Sequence, residues 1–349
     1  MIAAGVGLYG VLLWYMPQLT RRDLYFSVTV PPSFRDTPNA RRTLYRYRLQ
    51  ISVVSVALAA ITIVLGRVNP LLTQLSLYAE TIASLAAFLH ARHLTQPHAV
   101  EPTPVREASL NKRPRIVPGG LPAVAGPFVI IAAVAAYVWT HADELPTRIP
   151  VHFDIHMQPD GWASRTPATL FAPLLVGFTI LVTIAISLYG LGHWVRTVYS
   201  GGVLGAREVR FRRIAALMSL GTAYVVTAEL TFVALLPYLT FRLSTGAAVA
   251  VGFAPLFFVI VAVVALARLG PWGSGAPAAV DAPPVGDRTS DRYWRLGIFY
   301  INPDDPAIMV EKRFGLGYTF NFGHIVSWLV VLVPIVVAVL VPFVLHRAS

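Results

Sequence analysis

Eight apolar stretches dominate the chain, each close to the roughly 20 residues that an α-helix needs to cross the hydrocarbon of a bilayer. They fall at 2–19, 49–65, 71–89, 121–140, 169–194, 214–236, 247–267 and 324–345. Only 13% of the 349 residues are charged, about half the share found in ordinary soluble proteins. The expected fold class is therefore all-α: a polytopic membrane bundle of about eight transmembrane helices, with a small cytoplasmic segment resembling a β-hairpin. The first stretch has no basic segment ahead of it, and Met16–Pro17–Gln18 is no small-residue cleavage site, so it reads as a retained helix rather than a signal peptide.

Arginine placement gives the orientation. Successive connections between the eight stretches hold 7, 1, 5, 2, 5, 1 and 6 Arg or Lys, with one more after the last stretch. Cytoplasmic loops collect Lys and Arg, so the odd connections are expected inside and both termini outside the cell membrane. The formal charge of +11 is then a topology signal plus attraction to anionic lipid. The bilayer is the expected partner, and nucleic acid is not. The chain has no cysteine, which excludes disulfides, thiolate metal sites and a cysteine nucleophile.

The connections divide the chain into a three-helix unit at 1–90, a proline-rich linker at 91–120, a second membrane unit at 121–268, a low-complexity tether at 269–290, and a cytoplasmic motif with the last helix at 291–349. In the first connection, 24–30 reads as extended and 39–48 as a basic helix pinned to phospholipid. His90, His93 and His98 in the third lack carboxylate ligands and read as interfacial. The outer connection, 141–168, carries the ligand-binding candidates His152, Asp154, His156, Asp160, Trp162 and Arg165. Strand-like alternation would put His152, Asp154 and His156 on one side, Pro159–Asp160–Gly161 signals a turn, and Trp162 suits the membrane interface. Two imidazoles and a carboxylate are a ligand set for zinc or copper, but spacing this simple points first to hydrogen bonding within the loop, so no metal or other cofactor is assigned. In the seventh connection, 297–301 and 307–312 read as strands around the turn 302–306, with Trp294, Phe299 and Tyr300 as an aromatic face. Asn302, Asp304, Asp305, Lys312 and Arg313 supply its polar groups, and aspartates flanked by prolines characteristically cap backbone amides.

Two of these segments resemble known sequence patterns. Leu145, Pro146, Ile149 to Phe153, Pro159 to Trp162, Ser164 and Pro173 resemble the "LP..IPVHFN..G.PDGWGSK" signature of SdpI-type bacterial membrane proteins, named for the immunity protein against a sporulation-delaying toxin. Met157 and Ala163 stand where that pattern has glycines. The segment from Trp294 through Tyr300, Asn302, Asp305, Lys312, Arg313 and Asn321 to Phe322 is similar to a domain of unknown function that often accompanies it. The resemblance implies an outward-facing signature loop, the bacterial inner membrane and, for a subset of relatives, immunity.

Glu80 and Glu229 are the two acidic residues inside the stretches, and each should face protein or water. Thr73, Ser76, Glu80 and Ser84 share one helical stripe. There is no His–Glu–x–x–His helix, Gly–x–Ser–x–Gly elbow or glycine-rich phosphate loop, so no catalytic residue is named and an intramembrane enzyme is the least favoured class. The leading expectation is a non-enzymatic receptor or immunity-like protein, with an extracellular peptide and a cytoplasmic regulator as partners. The alternative is a proton-coupled transporter using Glu80 and Glu229. In this cysteine-free chain, W162C is expected to react with a membrane-impermeant maleimide on intact cells and D304C only after permeabilisation; the reverse pattern would overturn the orientation.

Overall fold

The computed structural model describes residues 2–65, 70–102, 115–153, 159–195, 202–238, 254, 257–258, 260–261, 264, 289–315 and 317–348. Seven helices are used below: α1 (Ile2–Tyr15), α2 (Pro38–Leu65), α3 (Pro70–Thr95), α4 (Gly120–Thr140), α5 (Pro167–His193), α6 (Gly202–Leu235) and α7 (Ile325–Ala348). Four two-stranded antiparallel hairpins join them: β1–β2 (Leu24–Tyr25, Val28–Thr29), β3–β4 (Arg148–Phe153, Pro159–Ser164), β5–β6 (Trp294–Arg295, Phe299–Tyr300) and β7–β8 (Met309–Glu311, Tyr318–Phe320).

The chain is largely helical, but the expected count of eight membrane crossings is corrected. Among the described residues, four helical segments are long and apolar enough to span: Pro38–Val64, Gly120–Thr140, Pro167–His193 and Val209–Tyr238. The 14 residues of α1 rise only about 21 Å at 1.5 Å each, short of a ~30 Å hydrocarbon core. The apolar run described in α7 is Ile325–Val337, and the stretch expected at 247–267 lies almost wholly outside the described residues.

The residues divide into two compact units. The first takes in residues 1–109, 196–200 and 272–323. Within it α2 and α3 run antiparallel, since Ser55 meets Glu80 and Thr62 meets Ser76. Helix α1 lies across them at Gly10, where a Cβ would come within 2.1 Å of Ser55 Oγ and 3.1 Å of Glu80 Oε1; only glycine allows so close an approach. At one end of these helices the β1–β2 turn inserts Phe26 among Tyr25, Tyr47, Phe88 and Phe314. That aromatic cluster, with Val28, Val30, Phe34 and Ile51, is the core of the unit.

The second unit takes in 110–195, 201–271 and 324–349. Helices α4, α5 and α6 pack on one another and α7 packs on α5, around Ile131, Leu174, Leu181 and Ala223. Thr166 caps α5 by accepting from the Thr169 amide at 3.1 Å. Hairpin β3–β4 stands where α4 ends and α5 begins, rooted by Ile149 against Val138, Leu145 and Leu170.

Phe26 and Ser27 at the β1–β2 turn have φ of 44° and 63°, a conformation that L-residues adopt at a cost of about 1–2 kcal/mol each. Ser27 is fully buried and its hydroxyl makes no hydrogen bond. Ser27→Gly is therefore expected to raise stability by about 1 kcal/mol, read as a higher melting temperature in detergent. A lower one would show that the Ser27 side chain contributes packing that outweighs the strain.

Candidate functional site

The first unit carries a folded cap assembled from three connections far apart in sequence: 20–37, 92–101 and 289–323. Its centre is the carbonyl-rich β1–β2 turn. Arg92, near the end of α3, donates to the carbonyl oxygens of Ser27 at 2.7 Å and Phe26 at 3.5 Å. Arg313, 1% exposed, donates to Ser27 O at 3.4 Å and also to Asp291 and the Thr289 carbonyl. Asp291 in turn accepts from the Thr29 amide at 3.2 Å and the Thr29 hydroxyl at 2.7 Å. One carboxylate thus ties the first connection to a segment 262 residues away. Burial pulls the Arg92 guanidinium below the ordinary arginine range; the Asp291 charge opposes this and the Arg313 charge adds to it.

Around this centre, Arg21 joins Asp23 at 2.8 Å and Glu311 at 3.1 Å. The Arg35 Nη2 reaches the carbonyls of Arg21, Leu24 and Thr20 at 2.6, 2.7 and 3.0 Å. Arg35 also lies over the Tyr25 ring, and burial pushes the Tyr25 phenol up to about 12. Arg21 thus holds carboxylates and Arg35 the backbone of the protein itself.

The 302–307 turn is held from inside. Asn321, fully buried, donates to the carbonyls of Asn302 at 2.7 Å, Ala307 at 3.1 Å and Asp305 at 3.3 Å. Its Oδ1 accepts from the amides of Asn302 and Gly323. Asp305 accepts from Tyr300 OH at 2.8 Å and from the Ala307 amide at 3.1 Å. Trp294 is buried and donates to Thr289 Oγ1 at 2.8 Å. Asp304 and Lys312 are exposed.

Two expectations about this segment are corrected. The strand containing Phe299–Tyr300 pairs with Trp294–Arg295, not with the strand after the turn, which pairs instead with Tyr318–Phe320; the proline-bounded turn links two hairpins. Trp294 and Tyr300 face the interior and Phe299 is exposed, so the three do not form a single aromatic face.

In the β3–β4 hairpin the register sets Arg148 opposite Ser164, Pro150 opposite Trp162, and His152 opposite Gly161, with an irregularity after Pro150. Pro159–Asp160–Gly161 belongs to β4 rather than to the turn, a further departure from the sequence reading. Asp154 and His156 lie outside the described residues. Trp162 is exposed, and Arg165 donates to Ala142 O at 2.7 Å and Asp143 at 3.2 Å, tying the hairpin base to the end of α4.

Glu80 is buried on α3 and accepts from Ser55 Oγ at 2.6 Å; its Oε2 is shielded and unpaired. Glu229 is half-buried on α6 and belongs to the other unit. Among the described residues no group of three or more His, Asp or Glu could hold a metal ion.

Two family models match parts of this framework. Residues 128–177 match a domain of unknown function, DUF1648, a segment running from α4 through the β3–β4 hairpin into α5. Residues 303–328 match a family of unknown function, DUF5808, which takes in the Asn321-stapled turn and the β7–β8 hairpin. No curated protein and no solved structure matches the chain.

Sequence reading singled out Arg313 and Asn302 but missed Arg21, Thr29, Arg92 and Asp291. None of these sits in a motif, and each acquires its role only through a partner on another connection. Asp291→Ala leaves the buried Arg313 and Arg92 without their carboxylate. Breaking such a pair costs about 3–5 kcal/mol when fully buried, and about 2–3 kcal/mol is expected here because Asp291 is partly exposed. The checks are thermal unfolding and protease sensitivity of 289–323; an unchanged profile would contradict the role given to Asp291.

Proposed function

We propose that the protein is a non-enzymatic receptor of the bacterial inner membrane, immunity-like in role, that senses a peptide or envelope component through the β3–β4 hairpin and presents the arginine-held cap to a cytoplasmic regulator. The cap carries this reading. Its buried arginines are committed to its own carbonyls and carboxylates, leaving a body that displays Leu296, Phe299, Ile301, Asp304 and Lys312 to solvent. A mixed apolar and charged patch on a rigid support suits the docking of a protein partner.

For the sensing surface, exposed Val151 and Trp162 stand on a hairpin rooted in the α4–α5 core. Such an aromatic anchor is suited to a peptide. The SdpI-type resemblance of residues 145–173 supports immunity in particular and an outward-facing hairpin, and arginine placement supports termini on that same face.

A transporter is the second reading, favoured by one observation: Glu80 is wholly buried with one oxygen unpaired, as a group that exchanges protons or ions inside a bundle would be. Coupled transport in proteoliposomes that Glu80→Gln and Glu229→Gln abolish would favour it over sensing.

The receptor reading is tested in a bacterium challenged with a sporulation-delaying peptide toxin. Expression of the chain is expected to raise survival. Replacing 148–164 by a glycine–serine loop of equal length, or Trp162 by Ala, is expected to remove that protection with membrane levels unchanged. Protection that survives the loop replacement would end the sensing model.

A further inference from the structure

The basic start of α2 forms more than a diffuse attraction to the membrane surface. Arg41, Leu44, Tyr45, Arg48, Leu49 and Ser52 follow one another at helical steps of three and four and so share one face. With Trp14 of α1 they line a cleft of about 380 Å³. The cleft is mostly apolar, and among the described residues that line it none is acidic and the two ionic groups are both arginines. Tyr45 and Leu49 are 66% and 50% exposed, so the cleft opens sideways from the helix pair.

Arg48 is the informative residue. Its guanidinium carbon stands 3.8 Å from the Trp14 ring centroid, a cation–π contact that fixes its plane. Its Nε and Nη2 are shielded from solvent, yet among the described residues neither has a hydrogen-bond partner. Buried donors left unmade are costly, and a guanidinium presents Nε–H and an Nη–H as a fork matched to the oxygens of a phosphate. Arg41 lies two turns earlier on the same face, about 10 Å away along the helix axis.

The level in the bilayer follows from the sequence. Arg48 is the last charged residue before the apolar run 49–65, which places its head at the boundary between headgroups and acyl chains. Trp14, beside it, is of the residue type enriched at that depth.

We propose that this cleft is a discrete binding site for one anionic phospholipid. Its phosphodiester accepts hydrogen bonds from the Nε–H and Nη2–H of Arg48 with Arg41 adding charge, and its acyl chain runs along Leu44, Tyr45 and Leu49. Charge complementarity selects the occupant: two cations, no compensating carboxylate, and an apolar lining open toward the hydrocarbon. Binding would lock α1 onto α2 and so brace the cap end of the first unit.

The test uses the full-length protein, delipidated in neutral detergent and titrated with phosphatidylglycerol or phosphatidylcholine while bound lipid is counted by native mass spectrometry. One phosphatidylglycerol per chain is expected, retained about tenfold better than phosphatidylcholine. Arg48→Gln is expected to reduce retention about tenfold, and Arg41→Gln, at an exposed position that folding tolerates, to reduce it in the same direction. Arg46→Gln removes the same charge outside the cleft and is expected to leave retention unchanged. Equal retention of the two lipids, or an Arg46→Gln loss matching that of Arg48→Gln, would reduce the site to general electrostatics and overturn the proposal. Displacement of the lipid by soluble glycerol phosphate at equal concentration would do the same, since the free headgroup would then suffice. So would retention of a protein in place of lipid.

Discussion

The two carbonyls of the β1–β2 turn, exposed by the left-handed backbone of Phe26 and Ser27, lie inside the protein where water cannot serve them. Arg92 and Arg313 supply the donors, and Asp291 neutralises part of the charge that those donors bring. The rest of the first unit depends on this exchange. With the turn held, Phe26 can sit between Tyr47, Phe88 and Phe314, the first connection closes over the ends of α2 and α3, and the 289–323 segment gains a surface to fold against. A buried ion pair is seldom a net gain in stability over apolar packing. Here it fixes which segments meet, because apolar contact alone would not distinguish 289–323 from another aromatic-rich strand.

The same interaction bears on topology. The first, third and seventh connections hold 18 of the 28 basic residues, and all three meet in the cap. Within the first unit these segments are hydrogen-bonded to one another, the first to the third through Arg92 and Ser27, the first to the seventh through Thr29 and Asp291, and the third to the seventh through Glu101 and Ser290. The arginines thus divide in two: Arg22, Arg41, Arg42 and Arg46 remain exposed, while Arg21, Arg92 and Arg313 are drawn into the folded body.

Legibility in the sequence followed the range of the interactions. Helices α2, α4, α5 and α6 were readable because twenty apolar residues in a row state their environment locally. The start of α2 was readable too: it begins at Pro38, eleven residues before its apolar run, because the basic segment 39–48, read as helical from the sequence, continues the helix into the interface. The stripe on α3 was readable, and Ser76, Glu80 and Ser84 are all buried, though nothing local named Ser55 as the partner of Glu80. The strand at Pro159–Gly161 was misread since proline and glycine signal turns on average, and an irregular hairpin edge accommodates both. The count of eight crossings overreached, because an apolar run does not by itself say how much of it is a full-length membrane helix. The clamp of Thr29, Asp291, Arg92 and Arg313 was invisible, being specified by pairings across up to 286 residues with no periodicity to announce them.

The central claim is that distant connections form one folded cap, and proximity across the chain tests it most directly. Ser290 Oγ donates to Glu101 Oε1 at 3.4 Å, linking the third connection to the seventh at an exposed position. Cysteines placed at both sites, with a protease site in the 270–288 tether, are expected to be joined by a short bismaleimide in native membranes, so that the two fragments migrate as one after cleavage. Fragments that separate although both cysteines react would contradict the cap and the topology built on it.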